Sequence, residues 1–475
     1  MGLMFENRKT SIIILTYNNI DYNRICIESI RKYTATGTYE IIIVDNNSTD
    51  GTREWLKEQN DIKLILNDEN VGFPRGCNLG IDAAEKDNDI LLLNNDTKVA
   101  PRWLDNLKIC LYSDESIGAV GPITNNCSNY QGINVPYSTI DHMIEFASNN
   151  NISAPEKWEQ KPRLIAFCML IKRTVIDKIG NLDERFTPGN FEDDDLCMRI
   201  IEAGYKLMVC NDSFIHHFGS TSFKKDFTNF NNALIINAQR FETKWGFNSN
   251  NSSSIKFDIV GQITESNDKG LNILEFDCGL GATLFRLKYM YPNSQIYGIE
   301  TNKNIAKICG KMIEIMTEDF EDIYTMKFKE NKLNFFDYII IGDRLQLSRD
   351  PWKLLKELKN FLKPGGYIIA TISNIMHYSV IKELLRGRFM YNKNSILNVR
   401  NYNNFFTLAD IQEIFKESGY VNPYVFHYYT EISQEDNEFL NNICSIIGND
   451  MKEYFLSYEY VAKFQKDIND KNSNI

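Results

Sequence analysis

Short apolar runs alternate with amphipathic stretches along the N-terminal part of the chain. Residues 12–15, 41–45, 63–66 and 90–93 are dense in Ile, Val and Leu and are bounded by polar residues, which predicts strands. Residues 22–33, 52–59 and 76–84 space their apolar positions as helices do. Alternation of such strands with helices predicts a parallel sheet covered on both faces. A second series of the same kind follows, with strands at 272–276, 295–299, 336–341 and 367–371 and helices at 279–288 and 354–362. Pro364-Gly365-Gly366 reads as a turn before the last of these strands. Between the two series, residues 248–254 are a run of Asn and Ser too polar to bury, which predicts a linker. The expected division is a first domain over 1–247, a linker over 248–270, a second domain over 271–432 and a helical tail over 433–475 that frays at its polar end.

Composition narrows the classes. A chain of 475 residues exceeds one ordinary core, in keeping with two α/β domains. Its net charge of −11 disfavours nucleic acid as the partner, since duplex binding needs clustered Lys and Arg. An acidic chain still accommodates a diphosphate, which a cation and helix N-termini can hold. The ten cysteines form no C-x-x-C pair, so reduced thiols in the cytoplasm are expected. No apolar run approaches the ~18 residues of a transmembrane helix. Any membrane contact is therefore expected to be peripheral.

In open parallel sheets ligands gather at the carboxyl ends of the strands. Those ends are rich in Asn, Asp, Ser and Thr: Thr16-Tyr17-Asn18-Asn19, Asp45-Asn46-Asn47-Ser48-Thr49-Asp50-Gly51-Thr52, Asn70-Val71-Gly72-Phe73 and Asn94-Asn95-Asp96. Further along stand the acidic run Glu192-Asp193-Asp194-Asp195 and the pair His216-His217. Four acids at a helix start complement its dipole, and their mutual repulsion is expected to raise a pKa among them. Asp195 and Arg199, four apart, are expected to pair on one helix face. His216, Trp103 and Trp158 read as packing residues.

The ordered set Thr16-Tyr17-Asn18, Val44-Asp45-Asn46-x-Ser48-x-Asp50-Gly51-Thr52, Asn70-x-Gly72-Phe73, Leu93-Asn94-Asn95-Asp96-Thr97, Phe191-Glu192-Asp193-x-Asp195-Leu196-Cys197-x-Arg199 and His217-x-Gly219 resembles family 2 of the glycosyltransferases, inverting enzymes of the GT-A fold. The likeness covers roughly residues 10–225. It implies a nucleotide-sugar donor, UDP-N-acetylglucosamine ahead of dTDP-rhamnose. The implied donor site comprises Thr16, Tyr17, Asn18, Asp45, Asn70, Gly72, Arg75, Asn94, Asn95 and Asp96, with Gly189-Asn190 facing the sugar. Arg75 would meet the diphosphate or simply lie on the surface. Asp96 and His217 would hold Mn²⁺ or Mg²⁺, and Asp193 would be the catalytic base. The family's Asp-x-Asp is Asn94-Asn95-Asp96 here, which leaves one carboxylate at that corner.

The segment from Ile273 to Gly281, with Tyr297-Gly298-Ile299-Glu300, Phe336-Asp337-Tyr338, Gly342-Asp343, Leu362-Lys363-Pro364-Gly365-Gly366, Phe405-Phe406-Thr407-Leu408 and Gly419-Tyr420, resembles class I S-adenosylmethionine-dependent methyltransferases. The likeness implies a Rossmann-like second domain holding S-adenosylmethionine through Glu275, Gly279, Gly281 and Glu300. Asp277 replaces the family's first glycine, Leu345-Gln346-Leu347 departs from the pattern after Gly-Asp, and residues 401–404 lack the usual Asp, Thr and His. Two readings stay open: a domain that O-methylates the sugar, or a degenerate domain that supports the transferase. Fusion of the two types resembles bacterial enzymes of surface-glycan and flagellin glycosylation, so the expected acceptor is a glycan or a flagellin Ser/Thr. A non-catalytic glycan-binding scaffold is the competing class, against which Asp96, Asp193 and His217 argue.

Overall fold

Runs of β-branched residues form the sheet cores where the pattern placed them. The computed structural model describes residues 8–127, 129–219, 227–317, 332–389 and 401–470. The chain divides into two compact units, Met1–Ser254 with Lys307–Met312, and Ile255–Ala306 with Ile313–Ile475.

The first unit holds β1 (Thr10–Thr16), β2 (Tyr39–Asp45), β3 (Ile62–Leu66), β4 (Asp89–Asn94), β5 (Thr97–Lys98), β6 (Ile117–Ile123), β7 (Trp158–Lys161), β8 (Cys168–Ile171), β9 (Lys206–Phe214) and β10 (His216–His217). Eight of these form one sheet in the order β3-β2-β1-β4-β8-β6-β9-β7. The β3-β2-β1-β4 half is parallel, while β8 runs antiparallel to both β4 and β6. The sheet is thus mixed and mostly parallel, the GT-A arrangement expected. Ile12, Ile14, Ile41, Ile43, Leu91 and Leu93 are buried against helices, giving the sheet its hydrophobic anchor. Register matters for the site: Thr16 pairs with Asp45, and Leu15 with Asn94. Three polar strand ends therefore stand side by side. A two-stranded ribbon sets His217 opposite Thr97, next to Asp96.

The second unit holds β11 (Asn272–Phe276), β12 (Gln295–Ile299), β13 (Glu314–Met316), β14 (Phe336–Gly342), β15 (Leu362–Ser373), β16 (Tyr420–Tyr429) and β17 (Ser457–Lys466). Their order is β13-β12-β11-β14-β15-β17-β16, parallel except for β17, which is antiparallel to both its neighbours. Three expectations change here. Pro364-Gly365-Gly366 lies inside β15 near an irregularity in its register with β14, rather than in a turn ahead of it. Asn248 caps a short helix, Ser249–Ser252, and Ile255, Ile259, Val260 and Ile263 are buried, so the apolar part of the expected linker packs into the second unit. Finally, the tail is helical only over Gln434–Ile447 and Lys452–Leu456, and then enters the sheet as β17. Pairing with two strands far away in sequence overrides the local polarity of that stretch. Among the described residues no helix is long and apolar enough to cross a membrane.

Candidate active site

Asp45 ends β2 and is fully buried. One carboxylate oxygen accepts from Ser48 N at 3.1 Å and lies 3.4 Å from Arg53 Nε. The other has no hydrogen-bond partner among the described residues. A buried acceptor left open costs free energy unless a ligand satisfies it. Around it the strand ends are tied to one another. Asn18 takes a left-handed φ of 59° and donates its N–H to Ser48 Oγ at 2.7 Å, while its side chain accepts from Thr49 N at 2.8 Å. Asn95 Nδ2 donates to Asn23 Oδ1 at 2.9 Å and Thr16 Oγ1 at 3.3 Å, so this amide braces the first strand end. Tyr17 is exposed beside it, and Arg75 is exposed on the first turn of the helix Phe73–Ala83. Asn70 Oδ1 accepts from Gly72 N at 3.0 Å and Asn46 Nδ2 at 3.1 Å, which makes it a turn-forming residue in this structure.

Asp96 and His217 are brought together across 121 residues: Nε2 of the imidazole lies 3.1 Å from Oδ1 of the carboxylate. His217 Nδ1 donates to the Asn126 carbonyl at 2.8 Å, which fixes the ring's orientation. Asn94 Nδ2 lies 3.4 Å from the same Nε2. Burial works against a charged ring, but the hydrogen bond and charge of Asp96, with the Asn126 carbonyl, outweigh it and hold the pKa above the ordinary value. Carboxylate oxygen and imidazole nitrogen stand side by side with Nδ1 already committed, and are two of the donors a divalent cation takes, water filling the remaining positions. The pair therefore fits Mn²⁺ or Mg²⁺. Among the described residues no third His, Cys, Asp or Glu joins them. His216 instead meets Tyr137 at 2.7 Å, and burial drives its pKa down to about 4, as suits a packing residue. Trp103 is buried with Nε1 on Thr34 Oγ1, and Trp158 Nε1 donates to Asp212, so both are packing residues too.

The four acids opening the helix Glu192–Glu202 are all buried, and the structure sorts them. Asp195 is held by Arg199 at 2.8 Å, Lys244 at 2.5 Å and Trp245 Nε1 at 2.9 Å. Asp194 pairs with Arg163 at 2.5 Å. Asp193 accepts from the backbone N–H groups of Asp194 at 2.9 Å and Ala166 at 3.3 Å. Burial raises the pKa of Asp193 and pushes that of Asp194 up to about 7, against the pull of Arg163. Glu192 is raised well above its ordinary value by burial and then by Asp193. Burial rather than mutual repulsion is thus the leading cause, a correction to the sequence-based expectation.

Two adjacent residues join these parts. Ala166 N touches Asp193, and the ring of Phe167 stacks on His217 with centroids 5.4 Å apart. The acidic turn and the Asp96–His217 pair therefore border the same place. Gly72 connects the turn to the third strand end: a Cβ there would lie 2.8 Å from Thr187 Cγ2, and Phe73 N donates to Pro188 O at 2.8 Å. Neither Arg163, Ala166 nor Phe167 carries a motif, and no local signal in the sequence singled them out.

In the second unit Glu300 accepts from Gly279 N at 3.0 Å and Asn302 N at 2.8 Å. Each carboxylate oxygen keeps a lone pair for a ribose hydroxyl. Gly279 and Gly281 have φ of 56° and 82°, and Asp277 adopts the same left-handed region at 47°. The loop backbone thus survives loss of its first glycine. The Asp277 side chain forms an ion pair with Arg344, which offsets the negative charge this residue adds to the loop. Glu275 is fully buried and paired with Lys256 at 2.8 Å, which places it in the support of the loop. The loop and Glu300 fit S-adenosylmethionine at its ribose end.

Residues 11–180 match the family model for glycosyl transferase family 2, and residues 267–419 match that for a methyltransferase domain. The chain carries a family 2 glycosyltransferase domain followed by a methyltransferase-type domain. It is 28% identical over 224 residues to the uncharacterized protein y4gI of Sinorhizobium fredii, covering 45% of this chain and 24% of that one. Identity to the O-antigen biosynthesis protein RfbC of Myxococcus xanthus is 26% over 239 residues, 46% of this chain and 18% of that one. Demethylmenaquinone methyltransferase of Staphylococcus aureus is 26% identical over 171 residues, 32% of this chain and 69% of that one. The chain spans less than a quarter of the length of the first two relatives.

Proposed function

We propose that the chain transfers a sugar from a nucleotide-sugar donor to a hydroxyl, with inversion. The observation that carries this reading is the junction of Asp193 and the Asp96–His217 pair through Ala166 and Phe167. A carboxylate of raised basicity beside a cation-seeking pair is what a single displacement requires. Asp193 takes the proton of the acceptor hydroxyl, whose oxygen bonds to the anomeric carbon as the bond to the diphosphate breaks on the opposite face. Asp96 and His217 would hold a divalent cation, which when bound offsets the charge of the departing diphosphate. The open oxygen of Asp45 suits a ring N–H, present in uracil and thymine and absent from cytosine. Uracil and thymine meet it equally, as does the N1–H of guanine, so UDP-N-acetylglucosamine is put first and dTDP-rhamnose second on the family resemblance alone. The likeness to a protein named for O-antigen biosynthesis supports a growing surface glycan as acceptor; a flagellin Ser/Thr is kept as the alternative, and a cytoplasmic site of action is part of the proposal. Turnover of each donor, measured with Mn²⁺ and again after chelation, tests the proposal: release of nucleoside diphosphate only with metal is expected, and inertness toward every donor would overturn it.

A bifunctional enzyme that also O-methylates its product is a second reading, supported by the paired Asp277 and the free lone pairs of Glu300. Calorimetry with S-adenosylmethionine decides it; absence of binding leaves a degenerate, supporting domain.

A further inference from the structure

We propose that Asn237, on the helix Phe227–Trp245, is a positioning residue that clamps the turn carrying Asp193 in the geometry needed for transfer. The inference rests on the reading of Asp193 as the base. Gly189, Asn190 and Phe191, just ahead of the acidic helix, have φ of 153°, 75° and 72°. Asn190 and Phe191 are L-residues, which rarely adopt this region, so the surroundings must hold them there. The single 3-10 turn Glu184–Phe186 ahead of it takes the carbonyls of Asp183 and Glu184 only, so those from 185 to 190 need other donors.

The structure supplies them all from outside. Asn237 is fully buried, and its Nδ2 lies 2.6 Å from Phe186 O, 2.9 Å from Gly189 O and 3.2 Å from Asn190 O. Arg240 Nη1 donates to Arg185 O at 2.5 Å, to Thr187 O at 3.2 Å and to Asn237 Oδ1 at 2.9 Å. The remaining carbonyl, Pro188 O, accepts from Phe73 N. Every carbonyl from 185 to 190 is thus held, and Asn237 alone grips both ends of the turn. Past Asn190 the chain has only Phe191 and Glu192 before the base. A small displacement of the turn would swing the Asp193 carboxylate away from the Ala166 N–H that locates it beside Phe167 and His217.

The test is steady-state transfer by Asn237→Leu, which keeps the side chain's bulk and removes its hydrogen bonds, and by Arg240→Ala, an exposed position. The expected result is a fall in kcat of tenfold or more for Asn237→Leu, a smaller fall for Arg240→Ala, and donor KM within about twofold of wild type for both. An active wild type matched in kcat by both variants would overturn the clamp, as would a fall in kcat that donor KM follows in step. If Asn237→Leu fails to fold, Asn237→Ala, which removes the Nδ2 donor without adding a branched side chain, carries the same test. A wild type that turns over no donor would overturn the transfer reading itself, which separates the two failures.

Discussion

At the scale of single residues, one burial environment gives four neighbouring acids different tasks. Asp195 is neutralised by Arg199 and Lys244 and serves the scaffold, while Asp193 accepts from backbone N–H groups and has a raised pKa. Replacing Asp193 with Asn should lower kcat by roughly 10²–10⁴, the usual contribution of a general base, with donor KM changed by less than about threefold. A variant retaining wild-type turnover would remove Asp193 from the chemistry. Asp194 gives a pH prediction of definite sign. Its pKa stands at about 7 in the folded chain against 3.8 for an unperturbed Asp, so the folded state holds a proton that the unfolded chain has released. This contribution to stability is fully present below about pH 4 and is lost as pH rises to about 7, by at most about 1.4 kcal/mol per pH unit. Melting midpoints of the first domain should therefore fall less steeply from pH 5 to 7 in Asp194→Asn than in wild type. Parallel profiles would contradict the assignment.

Elements meet at the site through turns rather than through their cores. Gly72 was expected in the donor pocket, and the structure gives it a packing reason as well: its φ of 82° and the nearness of Thr187 and Pro188 leave no room for a Cβ. Gly72→Ala should cost about 1–3 kcal/mol, read as a lower melting midpoint, because backbone must shift. Since the displaced turn leads into the acidic helix, kcat should fall as well. An unchanged midpoint would show that the turn has slack.

Across the whole molecule, β17 is the element whose role the chain order conceals. It pairs with β15 and β16 over most of their lengths and buries Tyr460, Val461, Ala462 and Phe464. Ending the chain after residue 456 should therefore abolish the melting transition of the second domain rather than trim a fraying tail. Calorimetry of the shortened chain checks this, and a preserved second transition would show that the sheet tolerates its loss.

The sequence by itself determined the first four strands of the first domain and four of the second, because alternating apolar runs must be buried on a sheet whatever their partners; the strands between and after them, β17 above all, were not legible. It also marked the polar strand ends, the acidic run and His217, since these chemical types recur in order along the chain. The i,i+4 spacing already set Asp195 against Arg199; tertiary structure alone added Lys244 and Trp245 to Asp195 and gave Asp194 to Arg163, since these reach the run from distant elements. It decided that Glu275 is a core ion pair and that Asp277 is neutralised by Arg344, contacts spanning loops that no periodicity encodes. The partnership of Asp96 with His217 belongs to both. The residues were legible as a motif, but the 3.1 Å contact exists only because a short antiparallel ribbon folds one onto the other.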